Sequence, residues 1–368
     1  MKEVVQQKKK HKVLKIVIIS IASFLGAVIA IIGGFLIFAS ATELKANSVE
    51  KVVVKGESSK TLHLTDTINV MSWNVGYCGL DESQDFFMDG GTKVRAPSIG
   101  KVKENLIAIK DQIVAKNPDI VMLQEVDQSS SRTHKYNEVK AFRDDLGTSN
   151  YVSSYALNYK AGYVPYPLFN TIGAVESGIL SFSKYQVNNA ERRQLPIPFS
   201  WPISMLNLKR CLLVNRISID GSDKELVMVN LHLEAYDDGA GKAKQTKVLT
   251  DFIDSEVTKG NYVVAGGDFN QRFSNVDISS YPEYKGNWKC PVIETSSLGS
   301  SVALMDSTHP TCRLLNKPYK NADKSKFQYY MLDGFILSSN ISYSHVETIN
   351  LDFKNSDHNP VMLELRLA

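Results

Sequence analysis

From Ile16 to Phe38 the chain runs for 23 residues without a charged side chain, and no other feature restricts its folding as strongly. As a helix rising about 1.5 Å per residue, the run reaches roughly 34 Å, enough to cross a hydrocarbon core about 30 Å thick. Lys2, Lys8, Lys9, Lys10, Lys12 and Lys15 all precede it, whereas Glu43, Lys45, Glu50 and Lys51 balance one another beyond it. This one-sided charge predicts a single-pass cell-membrane anchor with a cytoplasmic N-terminus, exporting everything after Ala41 to the extracellular side. The rival reading is secretion after cleavage of a signal peptide. Ala39-Ser40-Ala41 has the small-residue spacing of a cleavage site, but the apolar stretch exceeds the usual length of about 7–15 residues. Gly26, Ala30 and Gly34 recur every fourth residue, a small-residue face on which two such helices could pair as a weak homodimer.

The formal charge of +3 belongs to this N-terminal part. Residues 1–41 carry six lysines against Glu3, a net +5, which leaves the remainder at −2. A mildly acidic domain has no strong electrostatic hold on nucleic acid unless a bound cation bridges to phosphate. Hydrophobic content of 43% with 22% charged residues describes an ordinary globular chain. Cys78, Cys211, Cys290 and Cys312 show no zinc-type spacing. Outside the cytoplasm a disulfide becomes available, and Cys290–Cys312 is the pair closest in sequence.

Beyond the apolar run, residues 39–66 are polar and read as a linker. Thr67 to Trp73 is strand-like and ends at Asn74. Val102, Leu106, Ile109 and Ile113 form the apolar stripe of a helix that Asn117-Pro118 stops. Ile120–Leu123 reads as a strand that ends at Gln124-Glu125. The arrangement then returns: Glu225–Leu231 leads as a strand to His232, Val248 to Val257 mark a helix, and Tyr262–Ala265 leads to Asp268. Leu332–Leu337 and Val361–Leu365 are further strands. Between these lie proline-rich, aromatic stretches, 163–167 and 195–202, which proline keeps out of regular interior strands. Strand ends that repeatedly deliver polar residues point to layered α/β or α+β architecture, with a site on the loops at one sheet edge.

Singly, each of those polar residues is more often a solvated side chain or a turn former than a catalyst. Collectively they form an ordered set: Ser-Trp-Asn74, Leu-Gln-Glu125, Asn230-Leu-His232, Gly-Asp268-Phe-Asn270, Leu-Asp333-Gly-Phe and Ser-Asp357-His358-Asn-Pro. In this order they closely resemble the endonuclease/exonuclease/phosphatase superfamily. That superfamily includes DNase I-like nucleases, abasic-site endonucleases, neutral sphingomyelinases and inositol-polyphosphate 5-phosphatases. The resemblance extends from about residue 67 to the C-terminus, and Gly-Asp-Phe-Asn and Ser-Asp-His are its most specific parts. It implies an α+β fold, a four-layer αββα sandwich, over residues 67–368, following a basic tail (1–15), an anchor (16–38) and the linker (39–66).

The resemblance also implies roles that the chemistry requires. A phosphodiester repels hydroxide, so a hard divalent cation is needed to neutralise charge and polarise the phosphoryl group. Mg²⁺, with Mn²⁺ as the alternative, takes oxygen ligands. Glu125 suits the principal ligand, with Asn74 and Asp357 beside it. His358 is the candidate base and Asp333 its orienting partner. Asp268 lies beside the attacking water or phosphate, with a role as the base left open. Asn270, Asn74 and His232 suit hydrogen bonds to the phosphoryl oxygens. Arg132 and Lys135 are either contacts to substrate phosphate or members of a solvated charge cluster.

The substrate stays open at this level, because such a fold hosts several phosphoester chemistries. The mildly acidic domain, the membrane tether and the apolar loops place a lipid headgroup or small phosphodiester level with DNA or RNA. A monoester phosphatase follows, and a non-enzymatic surface binding protein comes last, since no member of the matched set is missing.

Overall fold

The computed structural model describes residues 1–147, 150–237 and 239–367, in two compact units, Met1–Glu43 and Leu44–Ala368. The first is one helix, Lys2–Thr42, whose segment Gln6–Thr42 is long and apolar enough to cross a membrane or to act as a signal sequence. It outruns the expected 16–38 in both directions. Its helical hydrogen bonding continues through Ala39-Ser40-Ala41 to Thr42.

The second unit packs two sheets face to face. The six-stranded sheet runs, in spatial order, Ile341–Thr348, Val361–Leu367, Thr67–Asn74, Ile120–Asp127, Gly173–Ser183 and Val152–Val164. The seven-stranded sheet runs Val49–Lys51, Asn189–Gln194, Cys211–Ser218, Glu225–His232, Tyr262–Asp268, Asp333–Leu337 and Val302–Leu304. The period-two alternation of strands sorts their side chains. Leu226 and Met228 enter the core between the sheets, where they join Ile68, Val70, Ile120, Met122 and Phe335. Val227, Val229 and Leu231 face the opposite way, onto Leu249, Phe252 and Ile253 of the helix Ala240–Thr258. On the outer face of the other sheet, Val121 and Leu123 meet Val102, Leu106, Ile109 and Ile113 of the helix Ile99–Lys116, and Phe142 of the helix Glu138–Gly147. Helices outside, sheets inside: the expected four-layer αββα sandwich is the observed one. Ser98 caps the helix Ile99–Lys116 by accepting from the backbone of Lys101, and Asn117, in left-handed conformation, ends it.

Three expectations are corrected. Residues 49–62 of the expected linker are part of the sandwich: Val49–Lys51 pairs with Glu191–Arg193, Lys55 bridges to Ser153, and Leu62 is buried in the inter-sheet core. A short strand with a mixed polar pattern carries little periodic signal, and here a neighbouring edge strand supplies its partner. The strand from Ile120 does not stop at Gln124-Glu125 but continues to Asp127 through a bulge. Finally, Cys290 and Cys312 are not joined; all four cysteines are free thiols.

Candidate active site

Strand register assembles the site. In the seven-stranded sheet, Glu225–His232 and Tyr262–Asp268 are parallel and place His232 opposite Asp268. Asp333–Leu337 runs antiparallel beside them and places Asp333 opposite Asp268 from the other side. Three residues spread over a hundred positions thus form one row at one sheet edge. In the six-stranded sheet, the parallel strands Thr67–Asn74 and Ile120–Asp127 end together, Asn74 opposite Gln124. Beneath the row, buried Asn230 ties the two sheets. It accepts from Gln124 Nε2 at 2.9 Å and donates to the carbonyls of Leu123 and Leu180.

Glu125 owes its direction to the bulge. Between Leu123 and Val126 its strand takes three steps while the partner takes two, and Glu125 sits in the left-handed region with φ 55°. A side chain that strict alternation would send to the outer face is re-aimed at the site, where Oε1 accepts from Asn74 Nδ2 at 3.2 Å. The same amide donates to Asp268 Oδ2 at 3.0 Å, while Asn74 Oδ1 accepts from the Gly76 backbone at 3.0 Å. Asn74 therefore presents its nitrogen to the two carboxylates and orients them, while its oxygen is held by the Gly76 backbone.

The segment Ser356–Pro360 is pinned along its length. Ser356 Oγ donates to the Asn74 carbonyl, Trp73 Nε1 to the His358 carbonyl, and the Asn359 backbone to Thr311. Gly76, at φ 50°, lets Asp357 approach, since a Cβ there would stand 2.6 Å from Asp357 Oδ1. His358 then meets Asp333 through Nδ1, 2.7 Å from Oδ2. Its Nε2 stands 3.8 Å from Asp268 Oδ2 and 4.0 Å from Asp357 Oδ2. Both separations are too long for direct hydrogen bonds and suit an intervening water. His232 Nε2 lies 3.4 Å from Asp268 Oδ2, and its Nδ1 has no partner among the described residues. Asn270 spends one amide hydrogen on the Leu233 carbonyl, and its backbone N–H holds Asp268 Oδ1.

Burial and crowding shift these groups. Burial, reinforced by Asp333, pushes Asp268 up to about 7. Asp357 rises to about 6, through burial and the neighbouring Glu125, with His358 and Arg313 opposing. Burial works against a charged His358, but the Asp333 carboxylate outweighs it and holds the imidazole well above its ordinary value. His232 moves the other way, lowered by burial and by the charges of Arg210, His358 and Arg132. One histidine is thus biased toward the charged form and the other toward the neutral form.

The expected residues do not all converge. Arg132 lines the site, stacked 3.8 Å over the Tyr77 ring and held by Asp127 at 2.9 Å, with Nη1 4.0 Å from Glu125. Lys135 is exposed and does not line the cavity. That cavity, about 550 Å³, has one polar wall bearing Glu125, His232, Asp268, Asp357 and His358. Its remaining surface is mainly apolar, from Phe86, Val94, Val164, Ile172, Phe199 and Leu206 among others. The proline-rich loops thus supply wall residues on both sides, Val164 to Tyr166 and Phe199. Sequence reasoning missed Arg210, Tyr77 and Asp89 on this cavity; burial and Asp357 push Asp89 up to about 7. The one local signal for Arg210 is a Lys-Arg pair opening an apolar strand that runs antiparallel to the strand ending at His232.

The sequence model described as the Endonuclease/Exonuclease/phosphatase family matches residues 71–325. No curated protein matches the chain. Among solved structures, an endonuclease/exonuclease/phosphatase from Beutenbergia cavernae aligns with TM-score 0.56 at 19% identity, covering 82% of this chain and 72% of that one. One from Bacteroides vulgatus aligns with TM-score 0.52 at 14% identity, covering 82% of this chain and 100% of that one. The human Nocturnin catalytic domain, solved with a bound sulfate, gives TM-score 0.49 at 15% identity over 86% of this chain and 97% of that one. At these identities the likeness is one of fold.

Proposed function

The chain belongs to the endonuclease/exonuclease/phosphatase family, whose members are phosphoester hydrolases, and on that premise we propose that it is a membrane-anchored phosphodiesterase working outside the cytoplasm. The observation that carries the reading is the convergence of Asp333, His358, Asp268, Asn74 and Glu125 through contacts of 2.7–3.8 Å, with Glu125, Asp268 and His358 lining a cavity.

His358 takes the proton from the attacking water. Asp333 fixes the ring through Nδ1, leaving Nε2 toward Asp268 and Asp357, and stabilises the imidazolium as it forms. Asp268 positions the water from the other side. His232 and the free amide hydrogen of Asn270 suit the phosphoryl oxygens as charge builds there. Arg132 stands near enough to Glu125 to help fix its carboxylate.

The donor set fits a hard divalent cation. Glu125 and Asp357 are carboxylates crowded enough for one to raise the other, and carboxylate oxygens are what Mg²⁺ or Mn²⁺ takes. Glu125 and Asp357 would hold it, with Asn74 setting the angle of Glu125. When bound, the cation supplies charge neutralisation and polarisation of the phosphoryl group.

A cavity that joins these polar groups to a mainly apolar lining suits a phosphodiester whose organic part is apolar, such as a lipid headgroup ester or a small diester. DNA or RNA is the alternative, and it would have to lie across an opening lined by apolar loops. Six lysines before the uncharged run that starts at Ile16 support a cytoplasmic N-terminus. Helical structure through Ala39-Ser40-Ala41 supports an anchor that is retained.

The test is hydrolysis by the purified full chain in Mg²⁺, offered sphingomyelin, glycerophospholipids, bis(p-nitrophenyl) phosphate, p-nitrophenyl phosphate, DNA and RNA. Preference for the lipid or small diesters is the expected result. Turnover of nucleic acid alone would establish the alternative, and turnover of none would remove the hydrolase reading.

A further inference from the structure

We infer that Arg210 grips an anionic oxygen of the substrate on the His232 side of the site; this rests on, and deepens, the phosphodiesterase reading. Arg210 is 3% exposed and lines the cavity. Its Nε and Nη1 have no hydrogen-bond partner among the described residues. A buried guanidinium left unpaired is heavily penalised, so native proteins almost always supply it an acceptor.

The chain itself withholds one. Glu234, also buried, forms an ion pair with Arg210, its Oε2 3.8 Å from Nε; this counters the charge but is beyond hydrogen-bond range and leaves the Nε and Nη1 donors unfilled. Glu234 is tethered there because its Oε1 already accepts from the backbones of Ala235 and Tyr236. The arginine is tethered too: its own carbonyl accepts from the Leu195 backbone and from Gln194 Nε2. The charge is therefore held in the cavity wall with open donors, close enough to His232 to help keep that ring neutral. His232 Nδ1, and Nε and Nη1 of Arg313, are further buried nitrogens of the cavity lining without a partner among the described residues. Arg132 and Arg313 also line the cavity; Arg132 is engaged by Asp127, Ser177 and Tyr77, and Arg313 donates through Nη2 to the Asp81 carbonyl at 2.8 Å.

An anion in the cavity supplies an acceptor that these donors lack, and a phosphate is the anion this family handles. Arg210 then holds the phosphate from the His232 side of the cavity. It is a binding residue for an anionic ester and has no use for a neutral one.

The test titrates inorganic phosphate calorimetrically into the full chain and into Arg210→Gln and Arg210→Lys, in Mg²⁺ and again in EDTA. EDTA separates binding by Arg210 from binding through a cation. Arg210→Gln should weaken phosphate binding about 10–100-fold in both conditions, the scale of hydrogen bonds to a charged group. It should also raise the KM for bis(p-nitrophenyl) phosphate by a similar factor. Arg210→Lys, which keeps the charge but not the planar donors, should fall between. Thermal melting of each variant identifies one that fails to fold; if Arg210→Gln does, Arg210→Lys carries the test. Unchanged phosphate affinity in the folded variants overturns the inference, as does a wild-type chain that binds no phosphate. Phosphate binding that depends on Arg210 in a chain hydrolysing no ester would sink the hydrolase reading and leave this one standing.

Discussion

Asp333 Oδ2 lies 2.7 Å from His358 Nδ1, although 25 residues separate them, because Asp333 opens a strand and His358 sits in a loop pinned by Trp73, Ser356 and Thr311. The pair should act as one unit. Positioned proton transfer contributes roughly 10²–10⁴-fold, and His358→Ala should lose about that much turnover. Asp333→Asn should lose somewhat less, and the double variant little more than His358→Ala alone. Near-normal turnover in a folded His358→Ala chain would instead place water activation on Asp268.

The pH profile tests the same pair with a sign. Burial disfavours the imidazolium of His358, but Asp333 prevails and raises the group above its ordinary 6.5. Water activation needs the neutral ring, so kcat should climb with pH through that raised value and fall below it. Asp333→Asn should shift the acid limb to lower pH, since burial then dominates. A limb that stays in place in Asp333→Asn and persists in His358→Ala would identify Asp268, at about 7, as the titrating group.

Chelation should stop the reaction. EDTA is expected to abolish hydrolysis, and Mg²⁺ or Mn²⁺ to restore it. Glu125→Gln, which keeps the shape but not the charge, should raise the metal concentration for half-maximal activity as well as slow turnover. Full activity in EDTA would defeat the metal-dependent mechanism.

Asn230 is a structural counterpart to these catalytic tests. Its amide donates to the carbonyls of Leu123 and Leu180 and accepts from Gln124 between the sheets. Asn230→Ala would leave those buried groups unpaired, at about 1–3 kcal/mol each before relaxation. Tm should drop by several degrees, measured by calorimetry with the wild type alongside. An unchanged Tm would mean that water replaces the amide.

Orientation is open to a direct assay. Protease added to intact cells or protoplasts should digest the domain from Leu44 onward and leave a small membrane-embedded fragment. A full-length protected protein would reverse the orientation, and a released form starting near Thr42 would establish signal cleavage.

Through the resemblance its motifs carry, the sequence by itself implied the αββα layering, and it determined the apolar helix and the main strand and helix positions. Those follow from local periodicity: the 23 uncharged residues, the stripe from Val102 to Ile113, and the strands that end in His232 and Asp268. It also singled out the polar strand ends, because a short motif such as Gly-Asp-Phe-Asn keeps its residues together at any level of description. What only the tertiary structure decided depends on register and on close approach between distant segments. A single extra residue after Leu123 turns Glu125 toward the site, and no periodic pattern announces a bulge. Asn74 was set beside the metal by the resemblance; its contacts with Glu125, Asp268 and the Gly76 backbone come only from the folded chain. Residues 49–62 pack onto the sandwich because the neighbouring edge strand and the inter-sheet core receive them. Arg210, Tyr77 and Asp89 enter the cavity through aperiodic loops and strand starts, whose course is set by what they pack against. Lys135 stays outside for the same reason: nearness to Glu125 in sequence says nothing about where a left-handed turn at His134 and Lys135 sends the side chain.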